Sequence, residues 1–184
     1  MSNLPKIIVA NIGDIGIEQT YENMEVVQAD NNIHPPDFFN DMYDKHPHGD
    51  IYAFLPNGYT CATPTTLARI VTKMGDNQYF AGVYTDAYIT IKGHRTHTFM
   101  PAYDRSIIYS KNVINVPIVF SKKCRPAFDS RIQHMFFGQV FIAASHRFLF
   151  CHIAEALFEI DPGDTSSQTI QSDLHIIELF RKAN

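Results

Sequence analysis

The chain is short of cysteine, of unbroken apolar sequence and of positive charge, and each shortage narrows what it can be. Its 184 residues include three cysteines, Cys61, Cys124 and Cys151. An odd count with no CxxC or metal-like spacing excludes a disulfide framework and implies reduced thiols, as in a cytosolic protein. No apolar stretch approaches the ~18 residues that a membrane span needs. The longest candidate, "VFIAASHRFLFCHIAEALF", is broken by two histidines, an arginine and a glutamate and reads as core. The first twenty residues hold no long apolar run behind a basic start, so no signal peptide is expected. A net charge of -4 provides no basic field for nucleic acid or an anionic membrane, although a local pocket for a small phosphate ligand stays open. A Walker loop and a nucleophile triad are absent, and "NIGDIG" matches GxGxxG only loosely, without a helix-opening context.

What remains is an ordinary globular composition, 45% apolar and 18% charged, in a length suited to one domain. "KIIVAN", "MEVVQAD", "DIYAFL" and "YFAGVYTD" read as strands, the second ending in Asp30 and the last in Asp86. "PPDFFNDMYDK" and "TPTTLARIVTKM" read as the intervening helices, the second capped by Thr63 before Pro64 and carrying Leu67, Ile70, Val71 and Met74 at helical spacing. This alternation indicates an α/β layer with largely parallel pairing. Beyond about residue 87 the pattern becomes mixed. "YITIKGHRTHTF" alternates like a hairpin, "NVPIVFS" is a buried strand, and "FDSRIQHMFFGQVFIAASH" is helical in its second half. "FLFCHI" and "ALFEI" follow as strands, and "SQTIQSDLHIIELFRKA" aligns Ile170, Leu174, Ile177 and Leu179 as a closing amphipathic helix.

Open α/β sheets bind ligands beyond the carboxyl ends of their strands. Here those ends offer Asn11 and Asp14, Asp30 and Asn31, Asn57 and Gly58, and Thr85 and Asp86, a set suited to a base, a ribose and a diphosphate. Each taken singly is also an ordinary turn residue. The pairs His46/His48 in "HPH" and His94/His97 in "HRTH" lack a matching third ligand nearby, so a zinc site is not expected. Arg95 and Arg105 face either a phosphate or solvent. His134 and His152 sit among apolar residues, as satisfied core histidines do.

The stretch "GDIYAFLPNGYTCATPTTLARIVTKM" resembles the strand, acidic turn, proline and helix of the inverting glycosyltransferases of family 2, which have the GT-A fold. "VYTD", "PAYDR", "PIVFSKK" and "FDSRI" are similar to that family's central stretch, and "HIAEALFEID" to its closing strand. Upstream, "IIVANIGD" and "VVQADNN" resemble the strands that hold the nucleoside. The small size and the closing helix look like the compact glycosyltransferases of chlorella viruses. The resemblance implies a single domain over 1–184, with a nucleotide-binding part at 1–86 and an acceptor-side part at 87–184. Its fold would be a GT-A-like α/β sandwich, with a mixed, mainly parallel sheet between helices.

It further implies a UDP-sugar donor, Mn or Mg, and a hydroxyl acceptor on a glycan or glycoprotein, in the cytoplasm (the host's, if the chain is viral). Asn11, Asp14, Asp30, Asn31 and Asn57 would hold the nucleotide, Asn57 and Asp86 the metal. Asp86 would be catalytic, and Arg105, His134 and Gln139 would face the acceptor. The sequence departs from the family twice. The acidic metal motif falls at Asn57, Gly58 and Tyr59, where there is no carboxylate, and the base falls near Gly138 and Gln139. Two rivals therefore stand beside an active transferase: a degenerate domain that binds a nucleotide sugar without transferring it, and a structural protein with no small-molecule site.

Overall fold

The computed structural model describes residues 4–13, 18–77, 79–106, 116–132 and 134–161, together with 163, 175, 177, 178 and 182. The elements run β1 (Ile7–Ile12), β2 (Met24–Ala29), α1 (Pro35–Lys45), β3 (Ile51–Leu55), β4 (Tyr59–Cys61), α2 (Thr66–Gly75), β5 (Phe80–Ile91), β6 (His94–Thr98), β7 (Ile118–Ser121), α3 (Phe136–Ser145) and β8 (Leu149–Ile160). The strands join in one sheet ordered β2-β1-β3-β7-β5-β8-β4, with β6 paired to β5. β1 pairs in parallel with β2 and β3, and β5 with β8, while β7, β4 and β6 run against their neighbours. The sheet is therefore mixed, with five strands pointing one way.

Its centre is covered on both faces, which is why its strands read as continuous apolar runs. Alternation sorts them: Ile8, Ala10, Ile12, Tyr52 and Phe54 face α1 and α3, whereas Ile7, Val9, Ile51, Ala53 and Leu55 face α2. The first face is aromatic. Phe39 and Phe128 each lie 5.0 Å from Phe54, Tyr43 lies 4.3 Å from Tyr52, and Phe141 lies 4.7 Å from Phe150. The second is aliphatic, filled by Leu67, Ile70, Val71 and Met74 of α2, the four residues whose spacing predicts that helix. Among the described residues no helix is long and apolar enough to cross a membrane.

The structure corrects four boundaries. β5 continues past Asp86 to Ile91 and does not end at Asp86. "FLFCHI" and "ALFEI" are one twelve-residue strand, β8. α2 starts at Thr66, and its N-cap is Thr65 rather than Thr63. Thr66 Oγ1 donates to the Leu157 carbonyl at 2.9 Å, which ties the start of α2 to β8. Finally, Tyr59–Cys61 forms a strand, paired antiparallel with β8, that the turn-like sequence hides. Most of the closing segment lies outside the described residues; His175, Ile177, Glu178 and Lys182 are helical, and Ile177 is buried in the core.

All three cysteines are free and buried, and burial pushes the Cys61 and Cys124 thiols up to about 12. Thiolate, the reactive form, is scarce at such values. Iodoacetamide at pH 8 should therefore leave Cys61 and Cys124 unmodified in the folded chain and alkylate both in urea, as peptide mass spectrometry would show.

Candidate functional site at the carboxyl edge of the sheet

β2, β1 and β3 end on one edge, with Asn11 level with Gln28 on one side and Leu55 on the other. Asn11 is 1% exposed. Its Nδ2 donates to the Gly13 carbonyl at 2.9 Å, while its Oδ1 is buried and has no hydrogen-bond partner among the described residues. A buried acceptor left in that state costs about 1–3 kcal/mol unless a ligand or water completes it. Gly13 has φ 93, a region that favours glycine, and a Cβ placed there would lie 3.2 Å from both Asn31 Oδ1 and Asn57 Oδ1. Two side-chain oxygens from different strand ends thus meet at one bare point of backbone in front of β1. Gln28, which the sequence pattern did not single out, donates through Nε2 to the same Gly13 carbonyl.

Asn57 is set by the "LPNGYT" turn. The Tyr59 N–H donates to the Pro56 carbonyl at 3.0 Å, and Gly58 at the third position has φ 82, as a type II turn requires. The end of β8 closes on this turn: the Asp161 N–H donates to the Gly58 carbonyl at 2.8 Å, and a Cβ on Gly58 would lie 2.2 Å from the Asp161 carbonyl. Asp161 is therefore the acidic residue bound to the turn, and its carboxylate is exposed except for accepting the Gly163 N–H at 3.1 Å. Sequence reasoning missed it, although it ends a strand as Asp30 does. Asp30 is exposed, in a turn where its carbonyl accepts the Ile33 N–H at 3.1 Å. Asp14 lies outside the described residues.

Asp86 is the main correction. It sits inside β5 and is 2% exposed. Irregularities in the β5–β8 register on both sides of it turn its side chain inward. Oδ1 accepts the Met100 N–H at 2.8 Å and contacts His152 Nε2 at 2.8 Å, and Oδ2 faces His97 Nε2 at 3.3 Å. A carboxylate enclosed in this way is not presented to the Asn57 turn as a free metal ligand. His152 is the satisfied core histidine its apolar context implies, stacked 5.0 Å from Tyr84. His97 is 35% exposed.

The acceptor-side residues are dispersed. Gln139 is 3% exposed, accepts the Asp129 N–H at 3.3 Å and donates to the Ala127 carbonyl at 3.4 Å, so it braces a loop and does not line a cleft. His134 is exposed ahead of α3, contrary to a core position. Arg105 is exposed and donates to the Tyr103 hydroxyl at 3.4 Å. Arg95 lies 3.6 Å over the Tyr88 ring and is paired with Glu159, so it is held on the sheet surface. The His46/His48 pair does have a third partner, Glu25 of β2, at the opposite edge of the sheet.

No protein-family model matches the sequence, and no curated protein matches it either. Solved structures do match in shape. Residues 1–349 of S. aureus TarS superpose with a TM-score of 0.65 at 11% identity, over 95% of this chain and 65% of that one. The mannosyltransferase PcManGT from Pyrobaculum calidifontis, in complex with GDP-Man and Mn2+, superposes with a TM-score of 0.60 at 10% identity, over 99% of this chain and 64% of that one. The fold is GT-A-like. The chain spans slightly less than two thirds of the length of either neighbour.

The geometry sets an expectation for Asp86→Asn. The amide keeps one acceptor but removes the charge that two imidazoles and a backbone N–H face. Stability should fall by ~1–3 kcal/mol, measured by urea denaturation; an unchanged midpoint would mean that Asp86 is not held as described.

Proposed function

We propose that the chain is a glycosyltransferase that binds a nucleoside-diphospho-sugar at the carboxyl edge of β1, β2 and β3 and passes the sugar to a hydroxyl of a glycan. The observation that carries this reading is the convergence of Asn31 Oδ1 and Asn57 Oδ1 on bare Gly13, next to the buried Oδ1 of Asn11, which has no hydrogen-bond partner among the described residues. A nucleoside supplies the N–H or O–H donor that Asn11 Oδ1 lacks. Gly13 keeps a Cβ away from the place where a diphosphate would lie, between the Asn31 and Asn57 amide oxygens, while Gly58 lets the turn pack on the Asp161 backbone. The UDP-sugar and the glycan acceptor come from the family resemblance, and the neighbour in complex with GDP-Man makes guanine the alternative base.

Mg or Mn prefers hard oxygen donors, and this edge offers them: the amide oxygens of Asn31 and Asn57, with the carboxylates of Asp30 and Asp161 on the adjoining turns. When bound, the ion would neutralise charge on the departing diphosphate. The residues fit such an ion less strongly than a pair of carboxylates would, so most of the negative charge has to come from the donor's own phosphates. In the transfer, the acceptor oxygen attacks the anomeric carbon, the bond from that carbon to the phosphate oxygen breaks, and the hydroxyl proton passes to a base. Gln139 has no basic site for that proton. On this reading Asp86 acts through His97, the half-buried imidazole that it faces and that is able to accept a proton.

The buried, loop-bracing Gln139 and the absence of a carboxylate within the Pro56–Tyr59 turn favour a second reading, nucleotide-sugar binding without transfer. Calorimetry with UDP, UDP-glucose and GDP-mannose, with and without Mn, tests both. Metal-dependent binding that Asn57→Ala weakens at least tenfold, ~1.4 kcal/mol, is the expected result. Release of UDP or GDP in the presence of a glycan acceptor then separates transfer from binding alone. Failure of all three nucleotides to bind in excess Mn would overturn the proposal, whereas a guanosine preference would change only the base.

A further inference from the structure

The amino edge of the sheet, away from the donor site, holds a different constellation. His46 and His48 flank Pro47 in a turn closed by the Gly49 N–H donating to the His46 carbonyl at 3.2 Å. That carbonyl also accepts the Tyr52 hydroxyl at 2.8 Å, and the His46 N–H caps α1 by donating to the Met42 carbonyl at 2.9 Å. Gly49 is pressed against the sheet so closely that a Cβ would lie 2.5 Å from Ile8 Cγ1. The loop is thus fixed at both ends by backbone contacts that do not involve the imidazoles. Both rings turn onto one carboxylate of β2: His46 Nδ1 lies 2.8 Å from Glu25 Oε1, and His48 Nε2 lies 2.8 Å from Glu25 Oε2. The three ligand atoms all lie within 4.8 Å of one another.

We propose that Glu25, His46 and His48 form a binding site for a first-row transition-metal ion, with zinc as its type. Two imidazoles and one carboxylate are a recurrent three-residue zinc set, which leaves the fourth tetrahedral position to water or another ligand. At metal–ligand distances of ~2.0–2.2 Å the donor atoms of a tetrahedral site stand ~3.4 Å apart. The two gaps of 2.8 Å, each to a different oxygen of Glu25, have to open by ~0.6 Å and the wider separations, up to 4.8 Å, have to close, both by side-chain rotation on a fixed backbone. Imidazole nitrogen distinguishes this site from the all-oxygen carboxyl edge, so its preferred ion differs from Mg. Glu25 is level with Ile8, and Ala29 at the other edge is four residue steps further along β2, ~13 Å. The two sites are therefore independent.

One group opposes the ion. The Lys6 ammonium lies 2.9 Å from Glu25 Oε2, the oxygen that His48 also contacts. Without metal it neutralises the carboxylate; with metal it must move aside, which the rotatable stem of a side chain 34% exposed permits. Removing its charge should therefore strengthen binding, whereas a lysine serving a purely structural ion cluster would lower stability and leave metal affinity unchanged.

The test is calorimetry and thermal denaturation of the tag-free full chain with ZnCl2 as the sole added metal. One zinc per chain and a rise in Tm are expected for the wild type, with affinity at least tenfold weaker in His48→Ala and in Glu25→Gln, and tighter in Lys6→Met. His48 is half exposed, so its replacement should leave the fold intact, as circular dichroism would verify. The variant His94→Ala, altered in an exposed histidine of β6, should bind as the wild type does. Absence of zinc binding, or binding unaffected by both His48→Ala and Glu25→Gln, would overturn the proposal. UDP binding that persists in His48→Ala would show that loss of zinc and loss of the donor site are separate outcomes.

Discussion

The structure turns on the link between β3 and β4. These strands are third and seventh in the sheet order, four inter-strand steps apart, yet only Pro56, Asn57 and Gly58 connect them. In a flat sheet four steps span ~19 Å, whereas the chain from Leu55 to Tyr59 reaches ~14 Å at full stretch and is further shortened by its turn. The sheet must therefore curl until β4 returns over the end of β3. The long strands β5 and β8 take up this bend, and their register breaks at Thr85/Asp86 and Asp86/Ala87 are where they do so. Contacts on the β8 side hold the curl closed: Asp161 on Gly58, and the Leu157 carbonyl receiving both the Ala62 N–H and the Thr66 hydroxyl.

That constraint explains why the candidate site lies where it does. Curling carries the Asn57 turn over the end of β1, opposite Gly13, and brings Asn31 to the same point from the β2 side. It also explains the position of Asp86. A strand that bends sharply turns a side chain inward, and a carboxylate placed there needs partners. Met100, His152 and His97 provide them. The same aspartate cannot both stabilise the bend with all its acceptors and serve as an open ligand at the edge.

Much of this was legible in the sequence because local pattern and tertiary role agree there. The four residues of α2 at helical spacing do face the core, and the β-branched runs before Asn11 and Asp30 do end on one edge. The rest depended on residues that meet only in space. "VYTDAYITI" carries no breaker at Asp86, and the bulges that expose its inward role leave no mark on alternation. Tyr59–Cys61 is too short for a period. Asp161 reaches the turn through its backbone, which no residue type announces. Gln139 falls where the family resemblance places a base, and only its hydrogen bonds show that its amide is already engaged. Glu25 completes the His46/His48 pair from a strand more than twenty residues away, beyond the range of any spacing rule.

The two edges of the sheet thus carry opposite chemistry for the same physical reason. At the carboxyl edge the oxygens that converge on Gly13 are neutral amides, and the carboxylates of Asp30 and Asp161 stand on the adjoining turns, so a cation there would depend largely on charge brought in with the ligand. Ion and nucleotide should then bind as a unit, since neither meets a complete shell alone. At the amino edge the charge is built in: Glu25 sits among two imidazoles and the Lys6 ammonium, and the close packing of Gly49 on Ile8 anchors the loop that carries the imidazoles. A cation there needs no co-ligand, only the displacement of an existing positive charge. Affinity at the first edge would follow the donor's phosphates, and at the second the balance between a metal ion and Lys6. A mutation that adds a carboxylate to the Asn57 turn would therefore loosen the coupling of metal to nucleotide without altering the amino edge, because no shared ligand joins them.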